Sequence, residues 1–145
     1  FPKGYVMYAP GAAINFRPDD PHVRRRGDFL EIVDTPQFPK LGFDSYAGWF
    51  GYLLREGLLF VKRYPTYPDR VYNEIAGLTI SIWYFQRIRC ELEPIGPRER
   101  LQPGESASFS EEWELAPLAF PAPGEEVDLD AVARIGLVPS PPWTQ

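Results

Sequence analysis

Seventeen prolines and twelve glycines punctuate these 145 residues, and between them the chain has no room for long helices. Proline removes an amide donor and clashes with the preceding helical turn, and both residue types mark turns. The stretches between breaks are rich in Trp, Tyr and Phe, which make up 15% of the chain and favour pleated surfaces. The expectation is therefore a mostly β fold, an antiparallel β-sandwich of short strands. The length suits one domain with a real hydrophobic core.

Apolar runs place the strands. Tyr5–Tyr8, Ala12–Phe16, Phe29–Asp34, Leu78–Tyr84 and Ile88–Glu93 read as strands. In the last of these, Ile88, Cys90 and Leu92 share one face, while Arg89, Glu91 and Glu93 share the other, because strand side chains alternate. Gly48–Leu54 and Leu58–Tyr64 flank Arg55-Glu56-Gly57, a three-residue connection with glycine last, which predicts a hairpin. Glu91 to Leu115 reads as strand, turn, strand around Gln102-Pro103-Gly104-Glu105, with the second strand over Ser108–Leu115. The polar stretches Arg17–Asp28 and Thr35–Gly42 are expected to be loop and irregular chain. Residues 1–118 form the expected β-sandwich domain, and 119–145 a proline-rich tail. In that tail Asp128 caps a short helix with an apolar stripe of Leu129, Val132 and Ile135, and Pro139–Gln145 is extended.

Charge and cysteine content narrow the function classes. A net charge of −5 argues weakly against a nucleic-acid partner, which asks for a basic footprint. The basic run Arg24-Arg25-Arg26 is flanked by Asp19, Asp20 and Asp28 and reads as a solvated loop. Cys90 is the single cysteine, so no intrachain disulfide and no cysteine-ligated metal site can form. It reads as a buried structural thiol. The acidic pairs Asp19-Asp20 and Glu111-Glu112 lack the converging spacing that calcium requires. No phosphate loop, Gly-x-Ser-x-Gly or His/Cys metal signature is present, and no cofactor is implied. No apolar run reaches the roughly 20 residues that span a bilayer: Leu78–Phe85 is interrupted by Thr79 and Ser81. No membrane partner and a soluble chain are expected, without a signal-peptide pattern, and the compartment stays open. The start at Phe1 fits a processed product or a piece of a longer protein.

From about Lys40 to Leu115 the chain resembles the C-terminal part of the aldose 1-epimerase (galactose mutarotase)-like superfamily, and more nearly its DUF4380-type branch. The segments that carry the likeness are Lys40-Leu41-Gly42, Gly48–Leu53, Leu59–Tyr64, Tyr67-Pro68-Asp69, Glu91–Pro97 and Leu101–Ser106, ending at Trp113. About half of the chain is covered. The resemblance implies a β-supersandwich with a sugar cleft on one sheet. It also implies a glutamate base that takes the anomeric proton, and the matching Leu-Glu step here is Leu92-Glu93, so Glu93 is the implied catalytic residue. The family's histidines lie ahead of the matched region. His22, the only histidine, sits in the Asp/Arg loop and reads as a loop residue.

Sugar sites combine aromatic floors with carboxylates, amides and arginine. Trp49, Tyr52, Tyr67, Trp83 and Tyr84 supply rings, and Asp69, Asn73, Glu74, Arg89 and Glu93 supply polar groups. Arg89, Asp69, Glu74 and Trp49 are the expected substrate-binding set. Three functions compete: a carbohydrate-active protein with epimerase-type proton transfer at Glu93, a non-catalytic sugar-binding module, and a structural half completed by other chains. The last predicts a homo-oligomer or a partner chain, since unpaired sheet edges and exposed apolar faces need covering.

Overall fold

The computed structural model of the protein describes residues 1–8, 13–85 and 88–138; the extended course expected for Pro139–Gln145 lies outside them, as does Ala12 of the second expected strand. Contacts gather the chain into two units, Phe1–Tyr46 with Pro68–Arg100, and Ala47–Tyr67 with Leu101–Gln145. The fold is mostly β, antiparallel and sandwich-like, and no sheet among the described residues closes into a barrel. No helix among them is long and apolar enough to cross a membrane.

The first unit is built on a five-stranded sheet in the order β2-β1-β5-β8-β9. Its strands are β1 (Tyr5–Tyr8), β2 (Ile14–Asn15), β5 (Lys40–Phe43), β8 (Ile80–Phe85) and β9 (Arg89–Pro94). Register sorts their side chains into two faces. Tyr5, Met7, Leu41, Phe43, Ile82 and Tyr84 share one. Tyr5, Met7 and Leu41 are buried there against Val23, Leu30 and Ile32. These last residues belong to β3 (Val23–Arg26) and β4 (Phe29–Ile32), which pair as a separate hairpin.

This hairpin corrects the loop expected over Arg17–Asp28. Arg26 pairs with Phe29, so Gly27-Asp28 is a two-residue connection. Gly27 has φ +59°, which suits a type II′ turn. The three arginines also do more than meet solvent. Arg24 Nε and Arg26 Nη2 reach the Glu31 carboxylate at 3.1 and 2.9 Å, and such cross-strand pairs add about 0.2–1 kcal/mol each. A second correction falls on Thr35–Gly42: its last three residues enter β5 between β1 and β8. Ile88 lies outside β9 and is exposed, so only Cys90 and Leu92 of the expected apolar trio lie in the strand.

The second unit holds β6 (Trp49–Leu54), β7 (Leu58–Arg63) and β10 (Glu112–Pro117), in the order β10-β7-β6. The expected β6–β7 hairpin is present: Leu54 pairs with Leu58, the Gly57 amide donates to the Leu54 carbonyl at 3.1 Å, and Gly57 has φ +83°. The expected strand-turn-strand from Glu91 to Leu115 is present in that order, although its two strands do not pair with each other. The turn forms, with Glu105 N donating to Gln102 O at 3.0 Å, but β10 begins at Glu112 and pairs with β7. Alternation of β9 and β10 was visible in the sequence, whereas the partner of each strand is a long-range choice.

Helix α1 (Leu129–Gly136) starts as expected, with Asp128 Oδ1 accepting from Ala131 N at 2.9 Å. It is part of the second unit rather than a separate tail, because its apolar stripe needs a surface to bury against. Val132 and Gly136 are buried, and the sheet face that carries Leu59, Val61 and Arg63 supplies the cover. A Cβ at Gly136 would run into the Trp49 ring. Gly136→Ala is therefore expected to destabilise by about 1–3 kcal/mol, the usual range for overpacking, despite alanine's better helix propensity. Chemical denaturation of the two proteins checks this.

Candidate functional site

The sheet face opposite the β3–β4 hairpin carries most of the chemistry. Register lines up Tyr8, Lys40, Trp83 and Glu91 across β1, β5, β8 and β9. Neighbouring strands stand about 4.8 Å apart, so these four side chains form one row. Val6, Gly42, Ser81 and Glu93 make the row on one side, and Phe85 with Arg89 the row on the other. Leu78 closes over Gly42, where any side chain would meet its methyl groups.

At the β1 end the row is pinned by Glu74. Its Oε1 accepts from the Tyr8 hydroxyl at 3.2 Å and pairs with Lys40 Nζ at 3.8 Å. Lys40 Nζ also stands 4.8 Å from the centre of the Tyr8 ring. Glu74 is placed by a tight turn over Ile75–Gly77, closed by Gly77 N donating to Glu74 O at 2.9 Å. That turn holds Ala76 at φ +62°, the left-handed region that costs a non-glycine residue roughly 1–2 kcal/mol. Burial, then the Glu74 charge and its hydrogen bond, push the Tyr8 phenol up to about 12.

The Tyr8 shift sets a pH dependence. Between the ordinary tyrosine value of 10.0 and about 12, the unfolded chain loses this proton while the folded one keeps it. The unfolded state then binds fewer protons, so stability falls as pH rises through that window. Tyr8→Phe removes this contribution. Its alkaline loss of stability is expected to be shallower than that of the wild type between pH 10 and 12, measured by denaturation at stepped pH.

At the β9 end, Trp83 packs edge-on against Phe85, with ring centres 5.7 Å apart. Arg89 lies over the Phe85 ring at 4.7 Å. Glu91 is the register partner of Trp83, and Glu93 that of Ser81. Neither carboxylate has an ion-pair or hydrogen-bond partner among the described residues. Ser81 is 2% exposed, and its hydroxyl has no partner among them either. A buried hydroxyl without a partner is uncommon, because leaving it unpaired costs about 1–3 kcal/mol.

Of the residues singled out from sequence, Glu93, Arg89 and Glu74 all contribute to this face. Asp69 and Trp49 stand elsewhere. Asp69 is in an exposed turn whose neighbour Arg70 bonds Glu99 at 2.8 Å. Trp49 is in the second unit beneath Gly136 of α1, so its ring serves packing. Tyr8, Lys40, Ser81 and Glu91 were not among the expected site residues. Glu91 was legible, since it alternates in phase with Glu93, but Lys40 lay in a stretch read as irregular. Cys90 points to the hairpin face with Tyr84, and burial above all raises its thiol to about 11, which suits a structural residue. His22 begins β3's hairpin layer, where its amide is held by Asp20 Oδ1 at 2.9 Å, on the far side of the sheet from Glu93.

The second unit presents a different surface. Trp113, Leu115, Phe60, Tyr52 and Phe50 share the face of β10-β7-β6 opposite α1. Trp113 and Leu115 are 66% and 61% exposed. Lys62 Nζ bonds Glu111 at 2.7 Å and lies 5.1 Å from the Trp113 ring centre.

Comparison of the chain with protein-family models, with curated proteins and with solved structures gives no match.

Proposed function

We propose that the protein binds a sugar on the face of the five-stranded sheet that carries Trp83. The observation that supports this reading is the row Lys40–Trp83–Glu91, an aromatic ring between a cation and a carboxylate on adjacent strands. A pyranose has an apolar face and an equatorial rim of hydroxyls. An indole meets the first by burying apolar area, and charged groups beside it take the second by charge-assisted hydrogen bonds. Glu93 and Arg89 extend the polar rim.

Binding without turnover is the form the geometry favours. Ring opening at Glu93 needs an acid on the other side of the sugar. The one histidine stands in the hairpin layer, and the acids on the Glu93 face, Tyr8 and Lys40, are both drawn to Glu74. The experiment is a titration of a monosaccharide panel followed by calorimetry, with anomeric exchange of each ligand read by NMR. Saturable binding without faster exchange supports a binding module. Faster exchange abolished by Glu93→Gln would replace it with the epimerase reading, and no binding by any monosaccharide would sink both.

The exposed aromatic face of β10-β7-β6 favours a second reading, self-association. Trp113 and Leu115 lie beside one another on an edge strand, and exposed apolar faces of this kind mark interaction surfaces. Sedimentation of the wild type and of Trp113→Glu tests it: a dimer that the substitution turns into a monomer supports it, and a monomeric wild type rules it out.

A further inference from the structure

We propose that the sugar taken by this face carries a primary ammonium, an amino sugar whose cation sits over Trp83 between Glu91 and Glu93. The inference rests on the sugar-binding reading and narrows its ligand class. Among the described residues five charged side chains contribute to the face: Lys40 and Arg89 against Glu74, Glu91 and Glu93. Two cations against three carboxylates leave an excess of one negative charge, and the pairing within the set sharpens it. Lys40 is held at the far end of the row by Glu74 and the Tyr8 ring. Arg89 lies on the Phe85 ring and pairs with neither neighbouring carboxylate.

Glu91 and Glu93 are therefore two like charges, two residues apart on one strand face and about 6.6 Å apart along it. No cation among the described residues answers them. Like charges so placed repel and persist most easily where a cation bridges them. An ammonium has three donors in a compact head. Two can serve the carboxylates. The third would reach the unpartnered hydroxyl of Ser81, the register partner of Glu93, once the side chains that bury it move aside. The electron-rich face of Trp83, register partner of Glu91, adds a cation–π contact. The same arrangement disfavours uronic and sialic acids, whose carboxylate would meet Glu91 and Glu93.

The test is calorimetric titration of the full chain, below neutral pH so that the amine is charged. Glucose, glucosamine, N-acetylglucosamine and the matching galactose series serve as probes, with ethanolamine as a cation that is not a sugar. The amino sugar is expected to bind at least about tenfold more tightly than its neutral and N-acetylated counterparts. That advantage should shrink as salt is raised, and in the Glu91→Gln/Glu93→Gln double variant, which weakens every sugar, the ratio of amino-sugar to neutral-sugar affinity should fall to about one. Equal affinity for amine and neutral hexose overturns the ammonium inference and leaves sugar binding standing. Ethanolamine binding as tightly as the amino sugar, or no binding by any sugar, overturns the sugar-binding reading itself.

Discussion

Arg63→Ala is expected to lower stability by about 3 kcal/mol, the lower end of the range for removing one partner of a buried ion pair, and to release α1 from its sheet. The side chain is only 4% exposed, yet it makes four polar contacts. Nε donates to the Gly136 carbonyl at 3.1 Å and Nη2 to that of Ile135 at 2.6 Å. Nη1 reaches Glu112 at 2.8 Å, and Nη2 reaches Glu114 at 2.7 Å. One guanidinium thus satisfies the carbonyls at the C-terminal end of α1, where a cation is also favoured by the helix dipole, and ties them to β10. The effect stays at the lower end because Glu112 and Glu114 are partly solvated and keep water when Arg63 is gone. Arg63→Lys retains the charge but not the planar fork, so it should recover only part of the loss. Denaturant titration with a far-UV signal checks both. A wild-type midpoint for Arg63→Ala would show that the helix is held by Val132 and Gly136 packing alone.

Trp83→Ala is expected to weaken sugar binding at least about tenfold, equivalent to ~1.4 kcal/mol, by removing the floor on which the ligand stacks. Trp83 is half-buried and touches Phe85, so some stability goes with it, and a loss of binding alone would be ambiguous. Trp83→Phe separates the two effects. It retains the Phe85 contact and a smaller aromatic floor, and should fold like the wild type with intermediate affinity. Trp113→Ala, on the second unit, should leave affinity unchanged. If Trp83→Ala binds as the wild type does and Trp113→Ala does not, the site has been placed on the wrong sheet.

The parts of this fold set by local chemistry could be read from the residues alone. Gly57 closes the β6–β7 hairpin because a three-residue connection needs a left-handed residue there, and Asp128 caps α1 because a carboxylate before an apolar helical stripe has free amides to accept. The β3–β4 hairpin was missed where charge was weighed above turn chemistry. Arg24-Arg25-Arg26 looks like a solvated run, but the following Gly27-Asp28 is a two-residue turn that folds two of its arginines onto Glu31. Strand β5 was missed because Pro36 and Pro39 precede it, and prolines that end an irregular segment look the same as prolines within one.

The site was legible to the same extent. Arg89, Glu91 and Glu93 share a face by alternation alone, which needs no knowledge of the partner strand. That Trp83 stands opposite Glu91, that Lys40 lies beyond it, and that Glu74 reaches across to Tyr8 depend on strand order and register. Those follow from pairings between residues up to 66 positions apart, which no local pattern encodes. Trp49 illustrates the converse: a tryptophan in a promising segment whose ring is required by a glycine on α1.

The most direct test of the account is residue-resolved NMR of the chain during titration with glucosamine and galactosamine, following the indole and backbone amide signals. Saturable shifts are expected at Trp83 and along β5, β8 and β9, with Trp49 and Trp113 unmoved. Absence of shifts with every sugar, or shifts confined to Trp113 and Leu115, would contradict it.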